Sequence, residues 1–104
     1  MPATLNAFFP NEPDAEYNVE YYVKHHMPLV QNTLGKYGLK SWTVTKFVTG
    51  PDDSEPKYSF GSVMYWESLE SIKNAFAGPE IGGLFEDVVN FSNKHAELLT
   101  GEIV

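Results

Sequence analysis

Cysteine is absent from the 104 residues, which excludes a disulfide framework, a thiolate nucleophile and a thiolate metal site, and fits a reducing compartment. Positive charge is scarce: Lys and Arg number seven against fourteen Asp and Glu, for a net charge of −7 with no basic run. A polyanion would be repelled by such a surface, so no nucleic-acid partner is expected. Long apolar runs are missing too. No segment approaches the roughly 20 residues of a membrane span, and Met1 to Pro10 lacks the basic start and apolar stretch of a signal peptide. The expectation is a cytoplasmic protein with no membrane partner.

Motifs for bound cofactors and metals are equally lacking. There is no G-x-G-x-x-G, and Gly78, Gly82 and Gly83 have the wrong spacing for a phosphate loop. No H-x-x-x-H or H-E-x-x-H spacing occurs, no G-x-S-x-G turn presents a serine nucleophile, and the acidic run Asp52, Asp53, Glu55 is too short for an EF-hand. No cofactor and no metal are expected.

What the chain does have is rings. Hydrophobic residues make up 42% and aromatics 14%, more large side chains than a thin core needs in a domain this short, which buries only about two-thirds of its unfolded surface. Some of those rings are expected to line a cavity or an interface.

Residues 1–104 read as one domain. Thr4 to Phe9 is a β-prone run ended by Pro10, with a turn at Asn11-Glu12-Pro13-Asp14. Asn18 suits an N-cap and Gly35 and Gly38 a C-terminal exit, so residues 18 to 35 read as a helix. Pro28 removes the amide that would bond the carbonyl of Lys24, which predicts a kink or break near His25 and His26. Leu39 to Val48 alternates like a strand, residues 50 to 56 form a polar hairpin loop, and Tyr58 to Trp66 is a third strand. Ser68 caps a second helix with Leu69, Ile72 and Phe76 on one face, stopped by Gly78-Pro79, and a short helical turn is expected at Ile81 to Phe85. Asp87 to Phe91 reads as a fourth strand, and Leu98 to Val104 as a fifth edge strand or an arm.

The order β-α-β-β-α-β predicts an α+β, ferredoxin-like fold with an antiparallel sheet and both helices on one face. The third strand is apolar on both faces: Tyr58, Phe60, Met64 and Trp66 are expected to point one way, Val63 and Tyr65 the other. Two helices cover one face, so a second copy is expected to cover the other, giving a homodimeric α/β barrel. The alternative is that loops or the C-terminal arm cover these rings in a monomer. Space left between two sheets would hold a hydrophobic small molecule, with Phe8, Trp42, Phe60, Met64, Trp66 and Phe91 as its lining. Fully packed, the same residues are ordinary core.

Val19, Val23, Met27, Val30 and Leu34 fall at core-stripe spacing. At about 100° per residue His26 lies at the stripe's border beside Tyr22, one turn earlier, while His25 points to solvent. Two histidines so divergent hold no common ion. A half-buried imidazole next to a phenol can move protons near neutral pH, with Tyr22 orienting it or donating to a substrate oxygen. Alternatively, His26 simply satisfies a carbonyl freed by Pro28.

The stretch from Asn18 to Val30, with Tyr21-Tyr22, then His26, then Met27 and Pro28-Leu29-Val30, resembles the signature of the EthD family, named for ethyl tert-butyl ether degradation. Val89-Asn90-Phe91-Ser92 and the ending Gly101-Glu102-Ile103-Val104 are similar to its C-terminal pattern. The resemblance spans essentially the whole chain and implies a dimeric α+β barrel. It maps the family's histidine to His26, and Asn18 stands where Asp is frequent. Family members include an accessory protein of an ether-oxidising cytochrome P450 system and fungal proteins that dehydrate or decarboxylate polyketides. Three functions are therefore expected in competition: a cofactor-independent enzyme that dehydrates, isomerises or decarboxylates a cyclic or aromatic ketone through His26; a non-catalytic accessory module of an oxidoreductase; and a cofactor-free oxygenase.

Overall fold

A computed structural model describes residues 1–104. Its sheet has four antiparallel strands: β1 (Ala3–Pro10), β2 (Leu39–Lys46), β3 (Tyr58–Trp66) and β4 (Glu97–Glu102), in the order β2-β3-β1-β4. Along β1 burial alternates, with Ala3, Leu5, Ala7 and Phe9 inside. The pleat sends every second side chain to the helix layer, so the alternation in sequence fixes which face is core. Leu5 pairs with Met64 and Phe9 with Phe60, and the two phenyl rings stack at 4.3 Å.

The first helical stretch has three parts: α1 (Val19–Tyr21), a π-helical turn at Tyr22–His26, and α2 (Met27–Leu34). Asn18 caps it by accepting the Tyr21 amide at 3.0 Å. The π turn is the form the expected kink takes. Because Pro28 offers no amide to Lys24, the chain inserts one residue just before it, and the Met27 amide bonds the Tyr22 carbonyl five residues back. That residue also rotates the core stripe. Counting back from Met27 by five rather than four buries Tyr22 and leaves Val23, expected inside, 37% exposed.

Beyond a 3₁₀ turn at Gly35–Tyr37, Gly38 reverses the chain into β2 with φ +115°, a conformation that strains any L side chain. A Cβ there would also meet Ser71 Oγ at 3.0 Å. Helix α3 (Leu69–Ala77) starts at Ser68, whose hydroxyl accepts the Ser71 amide, and buries Ile72 and Ala75. Helix α4 (Ile81–Glu86) follows.

Two expectations change at the C-terminus. Asp87–Asn90 is a 3₁₀ turn, not a strand: it continues directly from α4, and Asn90 Nδ2 donates to Asp87 Oδ1 at 2.9 Å within the turn. Its two apolar residues, Val88 and Val89, are adjacent and do not alternate, and Asp and Asn, which strands disfavour, flank them. The fourth strand is instead Glu97–Glu102, the segment read as a fifth strand or arm, and it pairs along the free edge of β1 with Leu98 opposite Ala7.

Phe60, Met64 and Trp66 face the helices, and Val63 and Tyr65 the other side. Tyr58 departs from expectation. The register shifts between Phe9 and Pro10, and the Tyr58 ring packs on Phe8 at 5.2 Å, on the side away from the helices. That side carries Phe8, Phe47, Tyr58, Val63 and Tyr65, all half-buried, with no helix of this chain over it.

Candidate active site

The wide π turn sets Tyr22 and His26 almost one above the other, with rings 5.4 Å apart and 23° from parallel. Phe91 packs against both rings, 4.6 Å from the imidazole and 4.9 Å from the Tyr22 ring. His26 is buried, while His25 is exposed and lies against the Tyr21 ring at 5.1 Å.

From the 3₁₀ turn Asp87 reaches across to this helix. Its Oδ2 is 2.8 Å from His26 Nδ1, and its Oδ1 accepts from the Tyr21 hydroxyl at 2.7 Å and from Asn90 Nδ2 at 2.9 Å. Burial pushes the Asp87 carboxyl up, but the bonds from His26, Tyr21 and Asn90 outweigh it and hold the group below the usual carboxylate range. An ionised carboxylate only accepts hydrogen bonds. The network therefore assigns the proton of the neutral imidazole to Nδ1 and leaves the lone pair on Nε2. Nε2 bonds no protein atom, yet the one fully sealed and unpartnered side-chain polar atom in the chain is Trp66 Nε1. The free nitrogen of His26 is thus reachable.

Tyr22 meets the imidazole with its ring and not with its hydroxyl. Its hydroxyl shares a 2.7 Å bond with Ser62 on β3, and burial, partly offset by that bond, pushes its pKa up to about 12. The phenol stays neutral at working pH, its hydroxyl turned to the sheet and its ring stacked on the imidazole.

Between the sheet and the helices lies a cavity of about 170 Å³. Of its 18 lining residues, only His26 and the exposed His95 are not hydrophobic. Tyr22, His26, Met64 and Phe91 lie together in its wall. The other expected lining residues do not join them: Phe60 and Trp66 are sealed in the core, Trp42 is half-buried on the far strand β2, and Phe8 is on the opposite face of the sheet. Space opens on the helix side because the floor of the sheet there is Leu5 and the small Ala7, next to the edge strand.

Asp87, Tyr21, Asn90 and His95 escaped the sequence reading. Sixty-one positions separate Asp87 from His26. A helical rather than strand reading of 87–90 would have shown Asp87 and Asn90 one turn apart, but nothing local pairs them with residue 26. No three His, Cys, Asp or Glu side chains converge as metal ligands, and no helix is long and apolar enough to cross a membrane.

A ferredoxin-like sheet with helices on one face and an apolar cavity between the layers places the chain in a broad structural class. SnoaB, a cofactor-independent oxygenase from Streptomyces nogalater, shares the fold with TM-score 0.60 and 12% identity over 99% of this chain and 94% of its own. Similarity is greater to an EthD-like protein from Ralstonia eutropha JMP134, at TM-score 0.89 and 23% identity over 99% of this chain and 92% of that one. An EthD family protein from Bacillus halodurans C-125 matches with TM-score 0.76 and 25% identity over the full length of both. No curated protein sequence matches the chain. The EthD domain matches residues 11–95, most of the chain, and the protein belongs to the EthD family.

Proposed function

We propose that the protein is a cofactor-independent enzyme in which His26 takes and returns a proton on a carbonyl compound held in the cavity, the step common to dehydration and isomerisation of cyclic or aromatic ketones. The observation that carries this reading is the 2.8 Å contact of Nδ1 with Asp87, which leaves Nε2 as a free base at an apolar cavity. In the step, Nε2 removes the proton α to the carbonyl, giving an enolate and an imidazolium whose charge Asp87 balances. Return of that proton to carbon, or to a leaving hydroxyl, restores the neutral ring. Tyr22 and Phe91 act as positioning residues that fix the plane of the imidazole.

The test needs no natural substrate. In D₂O, the protein should exchange the methyl protons of acetophenone, followed by NMR, at least about 10²-fold faster than an equal concentration of free imidazole, because the base is held in place. Binding without exchange would overturn the proton-transfer reading and favour an accessory module that holds a hydrophobic molecule for an oxygenase.

The aromatic face of the sheet supports a homodimer built sheet to sheet, since Phe8, Phe47, Tyr58 and Tyr65 form a patch that monomers seldom leave to water. Light scattering at micromolar concentration should return twice the 11.7 kDa chain mass. A concentration-independent 11.7 kDa particle would sink the dimer.

A further inference from the structure

We infer that the cavity takes an uncharged molecule whose enclosed part is one ring, and that it discriminates against carboxylates of the same size and against fused-ring systems. The inference rests on the reading that this cavity is the ligand site, but not on any chemistry occurring there.

Size is the first observation. A dry apolar cavity of about 150 Å³ holds one benzene. At about 170 Å³ this one has room for a ring and a small substituent, and a fused tricycle would leave most of its surface outside.

Charge is the second. The chain contains no arginine, and none of its seven lysines lines the cavity. Behind His26 stands the ionised, half-buried Asp87. A carboxylate in the cavity would lose its water and approach that like charge. Were His26 protonated, Asp87 would already balance it. Burial of an ion without a partner of its own is strongly disfavoured. His95 does not supply that partner, because it is exposed and any charge it carries is screened by water. A cation fares no better: Oδ1 of Asp87 already accepts two hydrogen bonds and Oδ2 faces the imidazole. One neutral acceptor or acidic C–H, close to Nε2, is what the lining can satisfy.

The rim is the third observation. Phe85 on α4 and Leu98 on β4 line the cavity while remaining 52% and 42% exposed. They form an apolar mouth across which a ring substituent can lie.

Calorimetry with three probes tests this. Acetophenone, a neutral single ring, should bind. Benzoate, of nearly equal size but charged, should bind at least tenfold more weakly, and so should anthrone, a neutral fused tricycle. Leu98→Trp, a change at an exposed edge position, should weaken acetophenone at least fivefold by filling the mouth. Phe85→Ala, which opens the mouth, should tighten anthrone at least fivefold. Benzoate or anthrone binding as tightly as acetophenone to the unaltered protein would overturn the inference, as would indifference to Leu98→Trp. The two proposals fail separately. Selective binding of acetophenone without proton exchange removes the enzyme and keeps the ligand class, whereas exchange with no preference among the probes does the reverse.

Discussion

His26→Gln is expected to lower ketone turnover by about 10²-fold or more with the fold intact, because the amide keeps polarity and approximate size but cannot cycle a proton. The same change at His25, exposed and outside the cavity, should leave turnover within about twofold. Asp87→Asn should also cost about 10²-fold or more. An asparagine can offer its amide N–H to Nδ1, which moves the imidazole proton to Nε2 and removes the base from the cavity. Acetophenone binding should survive both changes, since neither residue supplies much of the apolar lining. Equal turnover in wild type and His26→Gln would end the acid–base mechanism.

Acid titration gives Asp87 a second, independent readout. Its folded-state pKa lies below the ordinary value, so its ionisation stabilises the fold at neutral pH, and that contribution fades as pH falls from about 4 through the folded value. Denaturant unfolding should find Asp87→Asn less stable than wild type at pH 7, with the two converging on acidification. A constant gap from pH 7 to pH 3 would mean that the carboxylate's charge contributes nothing to stability.

Phe60→Ala should be the most damaging substitution for stability, with a loss of about 3–5 kcal/mol. The ring is fully buried, stacked on Phe9 and met edge-on by Tyr17 and Tyr22. Few neighbours can collapse into the space, because Phe9 and Tyr22 are themselves held, by the sheet and by the Ser62 bond. At about 4–8 °C per kcal/mol for a chain of this size, Tm should fall on the order of 15 °C or more by calorimetry. Turnover should fall too, since Tyr22 would lose the ring that supports it beneath His26. Val89→Ala, at a position 81% exposed, should change stability by no more than about 0.5 kcal/mol. Comparable effects at the two positions would contradict the core described here.

Most of what depends on neighbours along the chain could be read from the residues, the turn at Asp87–Asn90 excepted. The β-prone run ended by Pro10 and the alternation from Leu39 onward placed two strands, Asn18 and Ser68 marked where helices begin, and Pro28 announced that the helix could not stay regular. The two-faced character of β3 and the helical spacing around Tyr22 pointed to the architecture and to which histidine of the pair is buried. Three things lay beyond that reach. The π turn was foreseen as a kink, but a count at 100° per residue cannot supply the extra residue that buries Tyr22 and turns Val23 out. The face on which the cavity opens depends on how α2, α4 and β4 close over Ala7, and it left Phe8, Trp42, Phe60 and Trp66 outside it. Asp87 meets His26 across 61 positions because the turn after α4 docks against the first helix. Periodicity and capping act over a few residues. A hydrogen bond between distant segments exists only once the sheet register and helix packing have set their distance, and the carboxylate that orients the imidazole is of that kind.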